Sequence, residues 1–368
     1  MGGEFHMLFD QVRKLSNVIL KKIDKLEVDP NKCLKVRAVT SSCTACLDVC
    51  PADSIELKLD SIELKQSCLE CGLCTAVCLT NALKWNHPPL IQLDEQISRL
   101  AETENEVYIT CSTMLRENVT ANVIEVPCLG MLPKELWISA GTNNPSLKII
   151  YRKERCQSCK ATTGQELFLK QLKGAESFLQ HTFQIRSSLI EKKENTKVDH
   201  RRRRFLSSFL EEVKETNTIT VKEVMEVNKT LSPFEKFDRY YQGQNEMEEF
   251  VEEVTEIKKT VVGKLISDSV TLTDKRTLLF NSFKKIPHIK EDMPVSMPNI
   301  GGNCNRCGAC VFLCPTDAMI MDEDSIILST SRCVSCGLCE EICYENHINL
   351  YLTDGTAFDE KFVYLVRN

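Results

Sequence analysis

The placement of twenty cysteines in 368 residues constrains this sequence more than any other feature. Eight lie between Cys33 and Cys78, four between Cys111 and Cys159, none from there to Cys304, and eight between Cys304 and Cys343. Thiols so bunched either cross-link a small exported scaffold or hold metal. Disulfide scaffolds are short secreted chains. This one is long, shows no apolar leader, and has no apolar run near the ~18 residues a membrane span requires. A reducing cytoplasm is therefore the expected compartment, and metal ligands the expected role. The net charge of −6 is modest, and basic residues are not interleaved with aromatics, so no nucleic-acid partner is expected.

Two segments repeat each other. The first is CTACLDVCPADSIELKLDSIELKQSCLECGLCTAVCLTNALKW and the second CNRCGACVFLCPTDAMIMDEDSIILSTSRCVSCGLCEEICYENHINLYL. Each has a cysteine run ending in Cys-Pro, a short helical turn, two β-like stretches around an Asp-Ser pair, and a second run. Cys50 to Cys68 spans 18 residues and Cys314 to Cys333 spans 19. Such repetition predicts two copies of one module at opposite ends of the chain. Two-residue spacings let one loop present three soft thiolates to a single metal centre. Gly308 and Gly337 suit loops that bring backbone N–H groups close to sulfur. Zinc on four cysteines competes, but the threefold cysteine repeat and the Cys-Pro pairs favour clusters.

These runs resemble those of bacterial two-cluster ferredoxins, in a polyferredoxin-like arrangement. The resemblance implies a [4Fe-4S] cluster on Cys304, Cys307, Cys310 and Cys343, and another on Cys333, Cys336, Cys339 and Cys314. In the N-terminal copy it implies a regular cluster on Cys50, Cys68, Cys71 and Cys74. The remaining set, Cys43, Cys46 and Cys78, is one ligand short, because Thr40 stands where the first cysteine belongs. Cys33 is the displaced candidate, since the cost of closing the extra loop grows slowly with its length. A three-iron cluster with Cys33 as a buried spectator is the alternative. Both copies also depart from the family in lacking Pro after the last cysteine, with Leu79 and Tyr344 there.

Between the copies, EVYIT (106–110), NVIEV (122–126) and LKIIY (147–151) read as strands. Helical stretches near 92–100, 132–140 and 163–180 alternate with them. That alternation predicts a small parallel sheet. Cys111, Cys128, Cys156 and Cys159 each follow a strand, and strand C-termini of a parallel sheet share one edge where ligands bind. The layout is similar to the delta-type iron–sulfur subunit of methyl-viologen-reducing hydrogenases, which implies a two-iron cluster on these four. Zinc, a [4Fe-4S] cluster, or a Cys156/Cys159 redox pair remain open there.

The expected architecture is an α+β multidomain chain. A vector-derived 1–6 precedes an amphipathic helix over 7–32, a ferredoxin module over 33–90 and a small α/β domain over 91–180. A charged helical connector over 181–298 and a second ferredoxin module over 299–368 follow. The stripe from Leu8 to Leu26 packs on its own domain or lies on a membrane surface. His200-Arg-Arg-Arg-Arg is followed by glutamates, not an apolar stretch, which rejects an export signal. Its arginines, and more weakly Lys275-Arg276, leave room for an acidic partner. The histidines lack paired ligand spacing.

No nucleotide loop, flavin fingerprint or hydrolytic constellation is visible. The expectation is a multi-cluster electron-transfer protein, a subunit passing low-potential electrons to or from a catalytic oxidoreductase or a soluble carrier, in an anaerobic setting. Alternatives are an enzyme reducing a substrate at an incompletely ligated cluster, or a redox sensor or assembly factor.

Overall fold

A computed structural model describes residues 25–114, 122–188, 272–322 and 325–366. Most of the expected N-terminal helix, the four arginines at 201–204 and the helical stretches at 205–215 and 248–266 lie outside the described residues.

The described chain opens on a strand. β1 (Leu26–Val28) pairs antiparallel with β4 (Leu83–Trp85), placing Leu26 opposite Trp85. Leu26 thus belongs to a sheet, not to the helical stripe expected over 7–32. Pro30, with its fixed φ and no N–H to donate, instead starts a 3-10 turn over Pro30–Lys32. Between β1 and β4, α1 (Leu34–Arg37), α2 (Ala45–Asp48) and α3 (Leu73–Val77) flank the cysteines. β2 (Ile55–Leu57) and β3 (Ile62–Leu64) form a hairpin whose turn holds Asp60 and Ser61.

α4 (Leu90–Thr103) buries Leu90, Leu93 and Ile97, a helical spacing that puts all three on one face. β5 (Tyr108–Cys111), β6 (Val123–Val126), α5 (Lys134–Asn143) and β7 (Lys148–Ile150) follow. α6 (Lys153–Gln157), α7 (Gly164–Glu176) and β8 (Gln184–Arg186) complete this part. The four strands are parallel in the order β6-β5-β7-β8. All four residues of β5 are buried, as a central parallel strand covered on both faces requires. β8 lies in the segment expected as connector and is instead the sheet's fourth strand.

α8 (Asp274–Lys285) also corrects the connector. Thr273 caps it by accepting the Arg276 N–H, and Lys284 and Lys285 suit the negative end of its dipole. The helix packs on α5 and α4 and buries Leu278, Leu279 and Phe283. Lys275 and Arg276, expected on a surface, are only 5% and 9% exposed. Next come α9 (His288–Asp292), β9 (Pro294–Ile300), α10 (Ala309–Phe312), β10 (Met319–Asp322) and β11 (Ser325–Ser329). α11 (Leu338–Glu341), β12 (Ile348–Asp354) and β13 (Phe362–Val366) end the described chain. β9 pairs along its whole length with β12, so this unit begins before residue 299. β10, β11 and β13 form a second antiparallel sheet. One buried core runs continuously from the parallel-sheet region into this C-terminal unit. Among the described residues no helix is long and apolar enough to cross a membrane.

Candidate metal centres

The cysteine loops share an unusual backbone. Among the described residues, every positive φ falls at one of two places relative to a cysteine. One place is the first turn of a run. Glu70, Arg306 and Ser335 precede the second cysteine at φ 48°, 59° and 56°, and Gly72, Gly308 and Gly337 follow it at 73°, 80° and 79°. The other is the third residue after a run's last cysteine, occupied by Asp53, Asn81, Asp317 and Asn346 at φ 46–59°. Left-handed residues turn successive N–H groups inward to form anion-binding hollows. The consequence is visible at sulfur: Ser54, Ala318 and His347 donate backbone N–H bonds to Cys50, Cys314 and Cys343 Sγ at 3.3, 3.2 and 3.3 Å. The Arg306 N–H reaches Cys304 Sγ at 3.4 Å.

Three sets of four cysteines wall cavities. Cys314, Cys333, Cys336 and Cys339 line one; we call this the Cys314 site. Cys304, Cys307, Cys310 and Cys343 line a second, the Cys304 site. Cys50, Cys68, Cys71 and Cys74 line a third, the Cys50 site. Soft thiol donors around an open volume, with N–H groups aimed at sulfur, fit a multi-iron cluster.

The fourth set is the one that Thr40 leaves a ligand short. The first run of the N-terminal half has neither the glycine nor the positive φ of the other three, with Thr44 at φ −127° and ψ 5°. Cys33 arrives from elsewhere, between the 3-10 turn and α1, and is 8% exposed. Burial raises its thiol pKa, backbone N–H groups of Val36 and Lys35 oppose the rise, and Cys78 and Cys43 add to it. Cys46 is pushed up to about 12 by burial and then by Cys78, Cys33 and Cys43. Cys33, Cys43, Cys46 and Cys78 thus act on one another as a group, the Cys33 site.

The parallel sheet gathers the remaining four. Cys111 is the last residue of β5, while Cys128, Cys156 and Cys159 follow β6 and β7 at the same edge. Cys128 is pushed up to about 12 by burial, opposed by a Gly130 N–H and reinforced by Cys111, Cys71 and Cys156. Cys156 rises to about 11 through burial, then Cys111 and Cys159. A Cβ at Gly164 would lie 2.7 Å from Cys128 Sγ, so a glycine is needed there. We call this set the sheet site. None of the twenty cysteines forms a disulfide.

Three cations around these sites escaped the sequence reading. Arg37 on α1 donates to the carbonyls of Leu313 and Phe312, beside Cys314, at 2.9 and 2.5 Å. Lys275 donates to the carbonyls of Thr75 and Cys78. Arg276 donates to the carbonyl of Cys333, with its guanidinium 4.6 Å from the centre of the Phe358 ring. The sequence reading passed over Arg37 and gave Lys275 and Arg276 only a weak case for an acidic partner. Only the long-range packing reveals them.

The family model of the 4Fe-4S dicluster domain matches residues 303–348, the stretch carrying the Cys304 and Cys314 sites. The match supports an iron–sulfur module with at least two 4Fe-4S clusters, and points to an iron–sulfur electron-transfer role. No curated protein and no solved structure matches the chain.

Proposed function

We propose that the chain is a multi-cluster electron-transfer protein. It would hold four [4Fe-4S] clusters and a fifth group, favoured as [2Fe-2S], at the sheet site. It would work as the wiring subunit of a catalytic oxidoreductase or with a soluble carrier. The observation that carries this reading is the repetition of one cysteine-and-backbone pattern outside the matched segment. The Cys50 site repeats the cavity, the left-handed glycine and the N–H···S bond of the Cys314 site. Such clusters supply one-electron redox chemistry when bound, at potentials set by charge, hydrogen bonds to sulfur and exposure.

The chain's own residues do the rest. The cysteines fix position, the N–H donors and the buried Arg276 favour negative charge at sulfur, and Leu73 and Leu338 keep water from the loops at 0% and 1% exposure. Cys33 completes a fourth set of four, which leaves that site without an open position for substrate.

The test is iron, acid-labile sulfide and zinc per chain after anaerobic purification. About 18 iron without zinc is the expected result. About 16 iron with one zinc would make the sheet site structural, and about 8 iron would confine clusters to the C-terminal unit.

A further inference from the structure

We propose that the five cysteine sites form a single line through the molecule. The order is sheet site, Cys50 site, Cys33 site, Cys314 site, Cys304 site. This rests on the reading that each holds a redox group. Electrons then enter at the sheet site and leave at the Cys304 site, or travel the reverse way.

Each link has its own packing. Cys128 and Cys159 of the sheet site share with Cys71 the small buried group around Leu73, Ala76 and Ala161. Thr163 fastens that joint by donating to the carbonyl of Val49, next to Cys50, at 2.7 Å. Gly130 allows the close approach, since a Cβ there would lie 2.8 Å from Leu73 Cδ2. The Cys50 and Cys33 sites interleave along the chain. α2 lies between Cys43 and Cys50, α3 carries Cys74 and ends at Cys78, and Cys46, Cys50, Cys74 and Cys78 all pack against the buried group that includes Cys33.

The crossing between the two halves is the decisive link. Cys43 of the Cys33 site and Cys336 of the Cys314 site pack against the same buried trio, Leu34, Ala38 and Leu338. Arg37 spans this joint through its bonds to the carbonyls of Leu313, next to Cys314, and Phe312. The Ser42 N–H and the Glu341 carboxylate close the other side at 3.2 Å. Last, α10 carries Cys310 and packs against α11, which carries Cys339.

Tunnelling falls steeply with separation, so steps between packed neighbours outrun jumps between remote sites. Each step moves one electron, oxidising the site it leaves and reducing the next. The line requires a low-potential one-electron donor at one end and a one-electron acceptor of higher potential at the other.

The test uses the full chain, loaded anaerobically and reduced with dithionite, read by electron paramagnetic resonance. Neighbouring reduced sites broaden each other's signals. Removing the Cys33 site with Cys43→Ser and Cys46→Ser is expected to sharpen the signals of both the Cys50 and Cys314 sites. Cys307→Ser is expected to sharpen the Cys314 site alone. Arg37→Gln, which touches no cysteine ligand and guards against misfolding of the first variant, is expected to lower the potential of the Cys314 site while the Cys50 site stays put. Arg37→Lys restores it. The line is overturned if removing the Cys33 site leaves the Cys314 signal unchanged, if Cys307→Ser alters the Cys50 or sheet signal, or if Arg37→Gln moves no potential. Iron analysis separates the two failures: about 8 iron in the unmodified chain overturns the functional reading and the line with it. Full iron with unaltered coupling overturns the line alone.

Discussion

Lys275 donates a hydrogen bond to the carbonyl oxygen of Cys78, 2.6 Å away, across nearly two hundred positions of sequence. A second bond runs to the carbonyl of Thr75 at 2.8 Å. With only 5% of the residue exposed, no water stands ready to replace the ammonium group. Lys275→Met keeps the length and removes both donors. It leaves two buried carbonyls unpaired, and the expected loss is roughly 2 kcal/mol. Urea unfolding of the loaded protein measures it. An unchanged midpoint would mean that those carbonyls find other partners.

Cys33→Ala tests the displaced ligand. The expected outcome is a chain that folds and keeps its other sites, but loses about one iron or shows the signal of a three-iron cluster. The Cys304 site serves as internal reference, because Cys33 does not line its cavity and the Cys314 site lies between them. An unaltered iron content and spectrum would make Cys33 a buried spectator.

Gly164→Ala places a Cβ against Cys128 Sγ at 2.7 Å. Overpacking at such a spot costs about 1–3 kcal/mol. Because the collision is with a cysteine of the sheet site, metal retention there is expected to fall first. Metal analysis beside the dicluster signal checks this. Equal loss from all sites would assign Gly164 a purely architectural role.

The buried thiols set a pH dependence. Burial raises Cys46, Cys74, Cys128, Cys310 and Cys336 from 9.0 to about 12 in the metal-free fold. A raised pKa means stability fully present below the unfolded value and lost as pH climbs through the folded one. The metal-free chain should therefore hold its melting temperature below about pH 9 and lose it progressively above. Metal uptake must displace the same protons, so it should become more favourable as pH rises. Calorimetry of the metal-free chain and iron uptake over the same pH series give the two opposed trends. A melting temperature that does not fall above pH 9 would sink the first.

What the sequence made legible was local. The β5, β6 and β7 stretches were read within a residue or two, because apolar runs between helical stretches leave little choice of element. The edge carrying Cys111, Cys128, Cys156 and Cys159 followed from their being parallel. The left-handed Gly308 and Gly337 were visible as glycines beside cysteines. Leu26 misled because helical spacing carried on through a segment whose real partner, Trp85, lies far along the chain. β8 was missed because QIR is short and exposed on a sheet edge, without the apolar signature of a buried strand. Lys275 and Arg276 were misread because a cation's burial depends on carbonyls that only the fold delivers, here from Cys78 and Cys333.

The four turns after the last cysteine of each run place Asp53, Asn81, Asp317 and Asn346 at one backbone conformation. Short polar side chains suit that conformation because they can bond locally to the backbone. The molecule therefore contains its own replicate experiment. A substitution made at any one of these positions has three counterparts in the same chain, under the same solvent and in the same preparation. Differences among the four responses then report the surroundings of each centre, with the turn itself held constant.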